Sequence, residues 1–215
     1  MNPLQPPPTP ADVKDTGRID AFSDGVFAIV ITLLAFNLQV PPPAQAEQSG
    51  LLTLLVQQWP AYLSLIVSFV LIGIMWVNHH RMFQFIGRTD QTIKYLNLLL
   101  LFSITLVPFA ARLVGEYIRQ SDATIAAVVY GLVALLIAVS FTLLWRHLSR
   151  HRELFLSTVD TRFIDGITNT YWLGPAGYTL ATLAAFINVP LSMGIHLALA
   201  IYFALPIRFR RHGTR

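Results

Sequence analysis

An all-α membrane protein with six transmembrane helices is the fold class the sequence predicts, on three observations. Apolar residues make up 54% of the 215 and charged residues 12%, about half the charged share of a soluble domain. Six apolar stretches of spanning length follow one another along the chain. Thirteen of the fifteen lysines and arginines fall to one side of such a layout, leaving Arg112 and Arg119 for the other. Under the positive-inside rule both termini are then cytoplasmic and the number of spans is even.

Composition also excludes several classes. The chain has no cysteine, which rules out disulfides, thiolate metal sites and cysteine nucleophiles. Its net charge of +4 is not gathered into one soluble domain, so no nucleic-acid partner is expected. No His-Glu-x-x-His, Gly-x-Ser-x-Gly or paired midmembrane aspartate occurs, and no enzyme is predicted.

Residues 1–15 carry five prolines and no apolar run, which predicts a disordered cytoplasmic tail rather than a signal peptide. Residues 16–207 are expected to form the six-helix transmembrane domain, and 208–215 a basic cytoplasmic tail. The first span opens at Arg18 and stays apolar to Val40, with Thr32, Asn37 and Gln39 interrupting. A proline-rich link at 41–50 stops it, and residues 51–58 are expected at the interface with Trp59 at the headgroup level. The second span is expected at 60–78 and the third at 93–111, kinked by Pro108. The fourth, 123–145, runs on into the basic stretch 146–153. The fifth, 168–187, is expected to bend at Gly174-Pro175, and a tight turn at 188–190 leads to the sixth, 191–207.

The first span carries the functional signal. At 100° per residue, Arg18, Phe22, Gly25, Ile29, Thr32, Leu33, Phe36 and Val40 fall along one stripe. Asp24 lies on the other side and Ser23 on a flank. By itself such a stripe can equally pack into a bundle or meet lipid. Asp24, however, is ionisable inside an apolar run, which marks a functional site. Successive spans run in opposite directions, so Asp24 is level with Trp76, and Arg18 with His80. An indole and an imidazole are the donors a buried carboxylate needs. Adjacent His79 and His80 point to different faces, which leaves open whether one of them joins Asp24 or both are solvated. With no third ligand at helical spacing they give a weak metal signal, and no resident metal is expected. His196 is expected to be hydrogen-bonded within the bundle, Gly177-Tyr178-Thr179 to be packing, and Glu116 with Arg119 to form a solvated i,i+3 pair.

Arg18, three intervening residues, then Phe22-Ser23-Asp24 at the opening of a first span resembles the signature of the transmembrane protein 175 family of potassium channels, in its single-repeat prokaryotic form. The resemblance implies a cyclic homotetramer in a bacterial plasma membrane, with the first helix lining a path for potassium ions. It implies that Ile29, Leu33 and Phe36 form a hydrophobic constriction and that Thr32 is the pore threonine. It further implies that a tryptophan and a histidine at the inner end of helix 2 pair with the motif's charged residues, so that Arg18, Phe22, Ser23, Asp24, Trp76, His79 and His80 brace the helix. The partners expected are sister chains, the lipid bilayer and permeant potassium, with no cofactor. Rings of Ile29 and Leu33 cannot replace a cation's hydration shell, so such a constriction closes by dewetting. The competing reading is a proton-coupled secondary transporter with Asp24 and a histidine as relay.

Overall fold

The structure is a computed structural model, described here over residues 10–168 and 170–204. Helix α1 (Pro10–Leu33) tightens into a 3-10 turn over Leu34–Asn37. Two short helices, α2 (Pro43–Ser49) and α3 (Leu51–Gln57), lead to α4 (Trp59–Phe83). Then come α5 (Gln91–Thr105), α6 (Val107–Tyr117) and α7 (Ala123–Arg150). Helices α8 (Thr161–Thr168), α9 (Leu173–Ala184) and α10 (Val189–Ala204) complete the described chain. Four stretches, Asp15–Asn37, Trp59–Phe83, Gln91–Tyr117 and Ala123–Arg150, are long and apolar enough to cross a membrane.

Helix α7 is the most buried of the four and α1 the least. The hub position of α7 follows from its small residues. Ala126, Ala127, Gly131, Ala134 and Ala138 let other helices approach closely, and a Cβ at Gly131 would collide with the side chain of Thr182 on α9. Trp145 fills the lower part of the core, stacked 5.0 Å from the Tyr171 ring and donating its indole N–H to Thr168 Oγ1 at 3.0 Å. Helix α1 lies on α4, α5 and α6, and α10 closes against α9, α4 and α7.

Several boundaries differ from those the sequence predicts. The helix begins at Pro10, inside the stretch expected to be a disordered tail, while residues 1–9 and the tail 208–215 lie outside the described residues. At its other end, α1 leaves α-helical geometry at Leu33, so Phe36 sits on the 3-10 turn. The third span, Gln91–Tyr117, bends as expected near Pro108, at a single residue between α5 and α6. That residue is Leu106, two residues before Pro108, because a proline removes a backbone donor and crowds the turn preceding it. The fifth span, expected at 168–187, begins as α9 only at Leu173, after α8 has ended at Thr168, and Gly174-Pro175 falls in the first turn of α9, where a missing N–H costs nothing, rather than at a bend. Helix α9 measures 12 residues, short of the ~20 that cross a bilayer untilted, and α10 has 16 among the described residues, ending where these end.

Two loops close one end of the bundle. Asp90 caps α5 by accepting from the Ile93 N–H at 2.7 Å, and its other oxygen meets His147 Nε2 on α7 at 2.7 Å. Beside it, Ile86 and Phe155 form an antiparallel bridge, with Gly87 N–H donating to the Leu154 carbonyl at 2.9 Å. Thr89 and Lys94 both reach Asp15 Oδ2, at 2.8 and 2.9 Å, and so tie this end of α1 to α5.

Candidate functional site

The amphipathic division of α1 is explicit in the structure. Val30 and Leu34 are 1% and 0% exposed and, with Phe27, join the core, whereas Ile29 is 61% and Phe36 77% exposed. Phe22, Gly25, Thr32 and Leu33 share the outward side. Gly25, Ala28 and Thr32, all exposed, stand between the bulky residues of this stripe. The Thr32 hydroxyl donates to the Ile29 carbonyl at 2.7 Å, so its hydrogen is spent on the helix and its lone pairs are the part left to meet a solute.

Behind the stripe, α1 faces α4 through two i,i+4 pairs. Asp24 Oδ1 accepts from the Trp76 indole at 2.7 Å, and one turn away Asp20 Oδ2 lies 3.5 Å from His80 Nδ1. Antiparallel helices put residues four apart on one opposite residues four apart on the other. Trp76 and His80 also stack, 6.0 Å between ring centroids.

A third helix supplies the rest. Asn97 on α5 donates through Nδ2 to Ser23 Oγ at 3.0 Å, and Ser23 donates to the Ile19 carbonyl at 2.8 Å. Asn97 Oδ1 meets His79 Nε2 at 2.8 Å. Ser23, Asn97 and His79 are all buried, and the His79 ring lies between Phe27 and Phe83 at 5.5 and 4.4 Å. A polar trio in such surroundings is tolerated because each member is hydrogen-bonded.

Of the residues that the sequence singles out, the structure thus brings together Ser23, Asp24, Trp76, His79 and His80. It leaves out two. Phe22 lies on the exposed stripe, and Arg18, expected in the brace, is exposed and makes no hydrogen bond or ion pair among the described residues. Opposite His80 stands Asp20, not Arg18. Asp20 and Asn97 were absent from the sequence reading. The spacing of Asp20 to Asp24 was the available signal for the first, and an asparagine inside the apolar run of the third span was the signal for the second.

At the far end of α1, Asn37 donates to the Pro108 carbonyl at 3.2 Å. A cavity of about 450 Å³ opens there, bordered by Gln39, Gln58, Glu116 and Arg119. The expected Glu116–Arg119 pair is not made, since Glu116 takes Arg112 at 2.8 Å, one helical turn back. His196 is held inside the bundle through Nδ1 to the Ser192 carbonyl at 2.8 Å, against the ring of Tyr178. Tyr178 itself is buried packing, as the sequence predicts.

Residues 18–108 match the family model described as endosomal/lysosomal potassium channel TMEM175. The chain is 46% identical to a potassium channel of Chamaesiphon minutus over 89% of its own length and 95% of the relative's. A potassium channel of Streptomyces collinus is 42% identical over 89% and 92%. Among solved structures, the crystal structure of a lysosomal potassium-selective channel TMEM175 homolog from Chamaesiphon minutus superposes with a TM-score of 0.81 at 45% identity, covering 89% of this chain and 97% of that one.

Proposed function

Because the chain belongs to the TMEM175 family, whose members are ion channels and not enzymes, we propose that it is a passive, potassium-favouring cation channel built as a cyclic homotetramer. Four copies of α1 surround the axis, and the outward stripe of each lines the path. Rings of Ile29 and Leu33, with Phe36 beyond, form the constriction, which is closed when the ring is too narrow to stay wet. Thr32 stands between them and offers oxygen lone pairs to a partly dehydrated cation. The Ser23, Asp24, Trp76, His79 and His80 network, with Asp20 and Asn97, holds α1 against α4 and α5 while the ring widens. Arg18, which has no hydrogen bond or ion pair among the described residues, finds its counter-charge on a sister chain. No cofactor takes part, and the permeant ion is potassium.

The proposal extends to the setting. Six crossings per chain put both termini in the cytoplasm of a bacterial plasma membrane, with α9 and α10 as the last two spans and residues 208–215 as a basic tail. The single observation that carries the reading is the split of α1, which turns Phe27, Val30 and Leu34 inward and Ile29, Thr32, Leu33 and Phe36 out. The transporter reading gains nothing from the geometry, because the donor chain from His79 through Asn97 and Ser23 stops on the Ile19 carbonyl at the same end of the bundle.

Potassium efflux from liposomes tests it. Ile29→Asn and Leu33→Ala are expected to raise passive efflux several-fold, with no substrate on the far side. Efflux unchanged by both substitutions, or dependent on a counter-substrate, defeats the pore assignment.

A further inference from the structure

The brace between α1 and α4 contains a place where two hydrogen-bond acceptors face each other. Ser23 gives its hydroxyl hydrogen to the Ile19 carbonyl and therefore accepts from Asn97 Nδ2. Asn97 thus turns its carbonyl oxygen to His79 Nε2, 2.8 Å away, and that nitrogen must carry the ring's hydrogen. On a neutral ring, Nδ1 is left as a bare lone pair. His79 is 0% exposed, its Nδ1 has no hydrogen-bond partner, and it lies 4.0 Å from Asp20 Oδ1, which has none either. A lone pair facing a carboxylate oxygen out of reach of water is unfavourable unless positive charge sits between them.

The same carboxylate meets a second unpartnered nitrogen, His80 Nδ1, 3.5 Å from Asp20 Oδ2. The Gln84 amide nitrogen lies 3.1 Å from His80 Nε2; a half-turn of that amide presents its oxygen instead, which takes the Nε2 hydrogen and frees Nδ1 to ligate. Asp24 uses Oδ1 for Trp76 and keeps Oδ2 free. One ligand atom each from Asp20, Asp24 and His80 lies within 4.8 Å of the others. A tetrahedral site with bonds of about 2.1 Å has donor-to-donor edges of about 3.4 Å, so a contraction on the order of an ångström closes the cluster. Two carboxylates and an imidazole suit a borderline-soft divalent ion of the zinc class, whereas magnesium and calcium favour all-oxygen shells.

We propose that α1 and α4 together form a divalent transition-metal site at Asp20, Asp24 and His80, with the lone pair of His79 Nδ1 turned to the other oxygen of Asp20 from the buried side. The third ligand that adjacent histidines lack in sequence comes from the neighbouring helix. Binding there fastens the two helices to each other, and this holds whatever α1 lines.

Zinc titrated into the metal-stripped full-length protein in detergent, against a chromophoric chelator, tests the site. One zinc per chain is expected, with affinity at least tenfold weaker in Asp20→Asn and in His80→Asn and unchanged in Glu116→Gln at the other end. Magnesium in large excess should not compete. Absence of saturable binding, as when a proton on His79 already fills the gap, overturns the proposal, and so does binding that both substitutions leave intact. Should the substituted chains fail to fold, cobalt(II) added to the wild-type protein decides. Intense visible bands of a four-coordinate nitrogen and oxygen site support the assignment, and a weak six-coordinate spectrum rejects it.

Discussion

Asn97 sets the direction of each hydrogen bond in the buried trio, since its amide must give to Ser23 and take from His79. Asn97→Leu leaves a histidine N–H and a serine lone pair buried without partners, and should destabilise the protein by about 1–3 kcal/mol. A fall in the apparent melting temperature in detergent checks this; an unchanged melt would mean that water reaches the cluster. Asp90 is a second residue with two roles, as cap and as partner of His147. Burial raises its carboxyl pKa, but the Ile93 N–H and His147 outweigh burial and hold it below the ordinary 3.8. A depressed acid contributes stability that is fully present above its unfolded value and lost as pH falls through the folded one. Asp90→Ala should therefore lower the melting temperature at neutral pH, while the gap between variant and wild type narrows only below about pH 3.8.

At the scale of elements, the two sides of α1 predict opposite mutational outcomes. Leu34→Ala opens a cavity in a 0%-exposed position and should cost about 2–5 kcal/mol, whereas Ile29→Ala, on the outward face, should leave the fold of the single chain nearly unchanged. Denaturation of the two variants side by side separates them. The sequence showed this stripe directly, because Phe22, Gly25, Ile29, Thr32, Leu33 and Phe36 recur at the helical period. It did not show the pairing of helices α1 and α4 in full. Depth alone put Asp24 level with Trp76, but opposite His80 it put Arg18, where the structure puts Asp20. The rotation of each helix about its own axis decides that, and rotation is fixed by packing of Phe27, Val30 and Leu71 into the core. The bend in the third span and the late start of the fifth belong to the same scale. Pro108 announced the first, but the turn at 170–172 has no proline or glycine to mark it.

At the scale of the whole molecule, the proposed channel places the outward stripe of α1 against sister chains and the basic loops on the cytoplasmic side of the membrane. A native mass measurement of the purified protein should give four chains, and a monomer would remove the axis. The absence of cysteine makes the orientation testable. Ser121→Cys and Ser157→Cys place single thiols in exposed loops at opposite ends of the bundle. On intact cells an impermeant thiol reagent should label the first and spare the second, and the reverse pattern would invert the topology. By itself the sequence determined that the chain is a membrane bundle, where its four long apolar stretches run, and which residues of the first share one face. Hydropathy, charge and period are properties of neighbours along the chain, and they survive without coordinates. The tertiary structure alone decided that Asp20, Asn97 and His79 meet, because contacts between helices depend on axial depth and rotation together. A shift of one residue turns a side chain by about 100° and replaces each partner with another.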